Sequence, residues 1–138
     1  MLAGAVFIDT GGWIAVAVSK DQYNSAATDC YRDLLAQDFP LVTSDYVLDE
    51  TVTRIRYDVD HAHAVQFLDL IEEAQWLQFL TVLRIDESIL EAARGIFKQY
   101  SDQVLSFTDC TSFALCQQES IKTAFAFDHH FIISAFSD

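Results

Sequence analysis

Short apolar runs, bounded by polar residues or glycine, predict β-strands along the chain. The first run, Val6-Phe7-Ile8, leads into Asp9 and is followed closely by two glycines. A wholly apolar run of this length is typical of a strand buried on both faces of a parallel sheet. The pattern predicts strands at residues 5–9, 41–43, 77–85 and 123–127, with 132–136 as a fifth.

Between these strands, apolar residues recur at helical spacing. The pattern predicts a short helical turn at residues 13–18 and helices at 22–37, 45–57, 61–75, 87–100 and 106–120. A residue that can cap a helix begins most of them: Asp21, Ser44, Asp60, Asp86 and Ser106. Ser106 and Asp109 together have the S-x-x-D form of a capping box. Residues with helical spacing include Val65, Leu68 and Ile71 in one helix and Ala26 and Cys30 in another.

The alternation of strands and helices predicts an α/β protein with a mainly parallel sheet of four to five strands. Helices are expected on both faces of the sheet, with right-handed crossovers. The 138 residues contain no repeat, no low-complexity tract and no linker, and they include one proline and four glycines. The sequence therefore predicts a single domain over residues 1–138.

The composition agrees with a folded cytoplasmic protein. Apolar residues make up 51% of the chain, no apolar run approaches the roughly 20 residues that cross a membrane, and no basic segment precedes an apolar one at the N-terminus. The three cysteines, Cys30, Cys110 and Cys116, are odd in number and form no C-x-x-C pair. They are therefore predicted to be small core residues and not disulfide or zinc ligands.

The net charge of −13 narrows the classes of partner. A protein that holds nucleic acid by bulk electrostatics should be basic, so the charge argues against a general nucleic-acid binder. It remains compatible with an enzyme that gathers carboxylates around metal ions, and it favours a basic protein partner.

Four carboxylates stand at comparable places in the predicted fold. Asp9 and Asp128 end strands, and Glu50 and Asp109 lie in the first two turns of helices. Taken singly, each has an ordinary explanation as a turn, a helix N-terminus or a solvated helix face. Together at one sheet edge they would repel one another unless a cation neutralised them. Hard ions such as Mg²⁺ and Mn²⁺ take oxygen ligands, and phosphodiester hydrolysis uses such sites.

Four segments in this order resemble the PIN-domain family, and most of all the VapC-type toxin nucleases. They are Phe7-Ile8-Asp9-Thr10, Val47-Leu48-Asp49-Glu50, Leu105-Ser106-Phe107-Thr108-Asp109-Cys110 and Ala126-Phe127-Asp128-His129-His130-Phe131. The segments span nearly the whole chain. Two features depart from the family pattern: the strongly acidic composition, and the Cys110-Thr111-Ser112 sequence where smaller apolar residues are more usual.

The resemblance implies a three-layer α/β/α fold and an endoribonuclease that acts on single-stranded or structured RNA with Mg²⁺ or Mn²⁺. It implies that Asp9, Glu50, Asp109 and Asp128 bind the metal. It also implies a catalytic role for the hydroxyl of Ser106, with Thr10 as a weaker candidate. A small basic antitoxin and a homodimer are the partners that the resemblance implies.

Other residues have roles that the sequence leaves open. Arg54, four residues after Glu50, and the nearby Arg56 are candidates to bind phosphate or to form surface ion pairs. His129 and His130 are either turn residues or groups that bind metal or act as acid and base. A dimer or antitoxin contact is predicted within residues 67–80 or 13–18, where large apolar residues are frequent.

Rival classes fit the sequence less well. The Asp9-Thr10-Gly11 sequence mimics an aspartic protease, but that fold is almost all β. A haloacid-dehalogenase phosphatase needs a second aspartate where Gly11 stands. A response-regulator receiver needs a lysine after its fifth strand, and no lysine follows Lys122 in this sequence. A stand-alone RNA-processing PIN nuclease and a catalytically silent PIN-like binding module remain as alternatives.

Overall fold

The protein alternates four strands with six helices. The computed structural model describes Leu2 and residues 4–126. The strands are β1 (Val6–Ile8), β2 (Leu41–Ser44), β3 (Leu80–Leu83) and β4 (Thr123–Phe125). The helices are α1 (Thr10–Ala17), α2 (Asn24–Ala36), α3 (Asp45–Asp58), α4 (His61–Trp76), α5 (Glu87–Gln99) and α6 (Phe107–Gln118).

The four strands form one parallel sheet in the order β3-β2-β1-β4. The first strand is therefore central, and all three of its residues are buried. This placement explains why the run has no polar residue, since a strand flanked on both sides and covered on both faces meets no water. The predicted α/β class and parallel sheet are confirmed. The predicted fifth strand at residues 132–136 lies outside the described residues.

The strand predicted at residues 77–85 is shorter in the structure. Leu77 ends α4, where its N–H donates to the Glu73 carbonyl at 2.9 Å. Gln78 has a left-handed backbone with φ of 65°, so the chain turns before it can extend. The apolar and aromatic residues at 77–79 therefore belong to a helix end and a turn, and β3 begins at Leu80.

Most of the predicted helix caps are present. Ser44, Asp60, Asp86 and Ser106 each accept a hydrogen bond from the backbone N–H three residues later. The predicted Asp21 cap is wrong, because α2 begins after Tyr23 and has no side-chain cap. Asp21 instead accepts from the Tyr23 N–H at 2.9 Å within the preceding turn.

The buried face of α4 is shifted from the predicted one. Ala64, Phe67, Ile71 and Ala74 are buried, whereas Val65 and Leu68 are exposed by 40% and 45%. Apolar residues surround much of this helix, so helical spacing alone fits two neighbouring faces equally well. The same ambiguity affects α2, in which Ala27 is buried and Cys30 is exposed.

Trp13 joins the central strands to α1. It is fully buried, and its indole N–H donates to Thr43 Oγ1 at 3.1 Å, while that hydroxyl donates to the Ile8 carbonyl at 2.7 Å. Trp13 is therefore a core residue and adds nothing to the surface of residues 13–18, one of the two segments in which a partner contact is predicted. Within the other predicted contact segment, Trp76 is 85% exposed and Phe67 is buried.

Over the described part of the chain, no helix combines the length and the apolar character that crossing a bilayer requires.

Candidate active site

Asp9 lies where the central strand meets α1, and it caps that helix. Its Oδ1 accepts a hydrogen bond from the Gly12 N–H at 2.8 Å, which satisfies one of the donors that a helix leaves unpaired at its start. Only 3% of the residue is exposed. A buried carboxylate requires compensation, and the N-terminus of α1 supplies part of it through its aligned N–H groups.

The two glycines after Asp9 belong to α1 and do not form a separate turn. The helix begins at Thr10, three residues earlier than the predicted one. At Gly12, an added Cβ would stand 2.4 Å from the Phe125 carbonyl oxygen and 2.6 Å from the Phe125 ring. The absence of a side chain at Gly12 therefore lets α1 approach the end of β4, directly beside Asp9, whose N–H donates to the same carbonyl at 3.3 Å.

The second strand ends in the cap of the helix that carries Glu50. Ser44 Oγ accepts from the Val47 N–H at 3.1 Å and starts α3 at the same sheet edge. Glu50 follows in the second turn and is half-buried. Arg54 lies four residues further, on the same face of the helix.

The third acidic position is fixed by the capping box at the start of α6. Ser106 Oγ accepts from the Asp109 N–H at 3.0 Å, and Asp109 Oδ2 accepts from the Ser106 N–H at 3.1 Å. Seven consecutive residues of α6, from Cys110 to Cys116, are buried, so packing holds the rest of the helix in place. The Ser106 hydroxyl thus positions Asp109 through the backbone.

The starts of α1 and α6 and the second turn of α3 enclose a cleft of about 310 Å³. The cleft is lined by Thr10, Gly11, Glu50, Arg54, Val104, Leu105, Ser106 and Asp109. The structure therefore brings Glu50, Asp109 and Ser106 together as predicted. Asp9 immediately precedes the lining residues Thr10 and Gly11, and Asp128 lies outside the described residues.

The donor set of the cleft fits a hard divalent cation. Glu50 and Asp109 supply carboxylate oxygens, which such ions prefer. The Thr10 hydroxyl oxygen is buried and has no hydrogen-bond partner among the described residues, so it is available to a bound group. Within Leu2 and residues 4–126, no three His, Cys, Asp or Glu side chains are gathered closely enough to hold a metal by themselves.

The cysteines beside the acids are neutral thiols. Burial, and then the negative charge of Asp9, raises the pKa of Cys116 to about 12. Burial, and then the charge of Asp109, raises the pKa of Cys110 to about 11. Neither residue is a thiolate near neutral pH, so neither resembles a nucleophile or a metal ligand. Both are core residues as predicted, whereas the prediction is wrong for the exposed Cys30.

The two candidate arginines have different surroundings. Arg54 lines the acidic cleft and forms no ion pair with any described residue. Arg56 lies in a separate groove between α3 and α4, together with Tyr57, Val65 and other residues. The sequence favoured surface ion pairing for both, and the structure gives only Arg54 a place at the acids. His129 and His130 lie outside the described residues.

Sequence reasoning missed part of the cleft wall. Val104 and Leu105 line the cleft from the connection between α5 and α6. Their position directly before Ser106 was the available signal, because the residues before a cap lie at the same helix end. Thr10 was only a weaker candidate, although its place after Asp9 brings its hydroxyl into the same region.

Comparison with known proteins identifies the class that this fold and cleft define. The PIN domain family matches residues 6–136 of the chain. Because the match spans almost the entire sequence, the chain belongs to the PIN-domain family. The resemblance inferred from the four acidic segments is confirmed.

Among individual proteins, the chain is similar to VapC20 of Mycobacterium tuberculosis. It is 30% identical over 135 residues to the "23S rRNA-specific endonuclease VapC20" of strains H37Rv and CDC 1551, and the match covers 95% of each protein. The crystal structure of VapC20, described as a sarcin–ricin loop cleaving toxin, superposes with a TM-score of 0.80 at 28% identity. That superposition covers 96% of both chains and confirms the PIN fold.

Proposed function

We propose that the protein is a VapC-type endoribonuclease, the toxin of a toxin–antitoxin pair, which hydrolyses RNA phosphodiester bonds in the cytoplasm. The cleft that joins Glu50 and Asp109 beside the start of α1 is the observation that carries this proposal. Similarity to an endonuclease along nearly the whole chain supports the same reaction class.

Asp9, Glu50 and Asp109 are the proposed ligands of Mg²⁺ or Mn²⁺, and Asp128 completes the set directly or through water. When bound, such an ion lowers the pKa of the attacking water and neutralises charge on the phosphodiester oxygens. The hydrogen bond from the Gly12 N–H orients Asp9, and the capping box orients Asp109. The protein thus holds Asp9 and Asp109 in place before the substrate arrives.

Two further side chains act on the substrate. The guanidinium of Arg54 binds phosphate oxygens of the RNA at the mouth of the cleft, since it is exposed and paired with no described residue. The Thr10 hydroxyl would donate a hydrogen bond to an oxygen of the substrate phosphate, which would satisfy a buried atom that has no partner among the described residues.

Replacing Glu50 tests the proposed site with a matched control beside it. Glu50→Gln removes one charge with little change in shape, and it should lower RNA cleavage by at least about 100-fold because a metal ligand is lost. Asp49→Asn makes the same change in charge one residue earlier, at an exposed position outside the cleft, and should cleave like the wild type. Equal cleavage by a folded Glu50→Gln protein and the wild type would refute the site.

The relative's name selects the first RNA to test. VapC20 is named as specific for 23S rRNA, so we propose ribosomal RNA as the first substrate, with cleavage positions mapped by primer extension. The antitoxin is proposed to be a small basic protein, which complements the net charge of −13, and the toxin is proposed to be a homodimer. A small basic DNA-binding protein encoded next to this chain would support the pair.

A further inference from the structure

A second and larger cleft lies on the other side of Arg54. Its volume is about 520 Å³, and it opens where the ends of α1 and α3 meet the start of α4. Its lining combines the apolar side chains of Ile14, Val18 and Val59 with the charged side chains of Lys20, Arg54 and Asp58. Asp9, Glu50 and Asp109 do not line it.

The two clefts share Arg54 as a common wall. Glu50, Arg54 and Asp58 follow one another at intervals of four residues, which places them along one face of α3 with a rise of about 6 Å between neighbours. The first of these residues faces the catalytic cleft, the second faces both clefts and the third faces the larger one. A ligand that extends along this helix therefore passes from the acids to the second cleft across Arg54.

Several polar groups of the second cleft are already engaged by the protein. Asp60 caps α4 and also bonds the His63 ring at 2.7 Å, and these hydrogen bonds lower the pKa of Asp60. Asp21 accepts from a backbone N–H. Lys20, Arg54 and Asp58 form no ion pair with other described residues. They stand beside an apolar wall.

This combination matches the chemistry of a nucleobase. A base presents a flat face that packs on apolar side chains and an edge that carries both donors and acceptors. Lys20 supplies donors and Asp58 supplies acceptors for such an edge. A phosphate alone would be repelled by Asp58, and a metal ion alone would be repelled by Lys20 and Arg54.

We infer that the second cleft binds the unpaired base of the nucleotide next to the cleaved bond, with Arg54 on the intervening phosphate. The inference rests on the proposed ribonuclease function. Lys20 and Asp58 recognise the edge of the base and make cleavage selective at that position. The base must be unstacked to enter, as is usual when proteins recognise RNA sequence.

Direct binding tests the cleft without relying on cleavage. AMP, CMP, GMP and UMP are titrated separately into the protein without divalent metal, and amide NMR shifts are followed. At least one nucleotide should shift amides of residues 18–21 and 58–63 beyond the shifts caused by inorganic phosphate. Lys20→Ala and Asp58→Asn should each weaken this binding by about tenfold, since the first removes donors to the base edge and the second replaces a charged acceptor oxygen by an amide donor. Lys98→Ala and Asp49→Asn are the matched controls at exposed positions outside both clefts.

Cleavage of a randomised RNA library tests selectivity. The wild type should prefer one base or class of bases beside the cut, and Lys20→Ala or Asp58→Asn should reduce that preference by about tenfold while less favoured sites are still cut. Unchanged preference in both variants, or nucleotide shifts no larger than those of phosphate, would overturn the inference. Perturbation of these amides by a protein partner and by no nucleotide would assign the cleft to that partner and also overturn it.

The two proposals fail in distinguishable ways. A protein that binds nucleotides in the second cleft but cleaves no RNA would contradict the proposed function and support the base site. A protein that cleaves RNA through Glu50, with a base preference indifferent to Lys20 and Asp58, would contradict the base site alone.

Discussion

At the scale of single residues, position in the fold decides how the three cysteines behave. Cys110 and Cys116 are buried in α6 next to acidic residues, and their pKa values rise to about 11 and about 12. Cys30 is exposed on α2; the partial loss of water around its thiol, and then the charge of Asp33, raise its pKa as well. The residue type is the same, yet only Cys30 is accessible to a reagent in solution.

We expect one thiol of the folded protein to react with an aromatic disulfide reagent at pH 8. A thiol with a pKa of about 11 is ionised in only about one molecule in a thousand at that pH, and the thiolate is the reactive form. Three thiols should react after unfolding. Cys30→Ser should remove the reaction of the folded protein, and a wild type with two or three rapidly reacting thiols would contradict the burial of α6.

Single residues also show what the sequence could and could not predict. Asp9, Glu50 and Asp109 were identifiable as candidates because each stands at a strand end or near a helix start. The fold places Glu50 and Asp109 in one cleft, next to the start of the helix that Asp9 caps. The buried Thr10 hydroxyl and the Gly12 approach to Phe125 depend on contacts across the sheet. No local pattern encodes those contacts, so the sequence indicated Thr10 only weakly and assigned the glycines to a turn.

At the scale of elements, the capping box of α6 links stability to the site. Ser106 and Asp109 each bond the other's backbone, so the same residues start the helix and orient a proposed metal ligand. The caps were predictable because their spacing is local. The buried faces of α2 and α4 were harder to predict. Apolar residues on more than one side of a helix fit several rotations about its axis, and packing against neighbouring elements selects one of them.

We expect Ser106→Ala to destabilise the protein by about 1 kcal/mol, the usual cost of losing such a cap. This corresponds to a fall in Tm of about 4 °C for a domain of this size, and cleavage should fall with it because Asp109 loses its support. Ser106→Asn keeps a capping oxygen without a hydroxyl, and it should restore both Tm and cleavage. A stable but inactive Ser106→Asn protein would instead assign the hydroxyl a direct part in catalysis.

At the scale of the whole molecule, the protein and its proposed substrate both carry negative charge. The chain carries 21 acidic and 8 Lys or Arg residues, and RNA is a polyanion. Two of those basic residues, Lys20 and Arg54, line the second cleft, and Arg54 also lines the acidic cleft that is the candidate active site. A bound divalent cation would add positive charge where the proposed ligands otherwise repel the substrate.

We expect EDTA to abolish cleavage and added Mn²⁺ to restore it. The Tm provides a second measurement that does not depend on activity. Mn²⁺ should raise the Tm of the wild type, since a ligand that binds only the folded state stabilises it by about 2.7 kcal/mol at 100 times its Kd. This rise in Tm should be smaller for Glu50→Gln, and for Asp49→Asn it should equal that of the wild type. Cleavage indifferent to EDTA, in a protein whose circular dichroism is unaltered, would exclude the metal-dependent reaction.

The central place of β1 has a consequence for the point during synthesis at which the strand can be completed on both sides. One neighbour of β1 is β2, but the other is β4, which pairs with it through residues 123–125. The carbonyl that receives the Asp9 N–H comes from Phe125 as well. Chains emerge from the ribosome N-terminus first, at about 5–20 residues per second. The end of β1 that carries Asp9 therefore gains its second neighbouring strand only after residues 123–125 have been translated, so a shorter nascent chain cannot form this edge of the sheet.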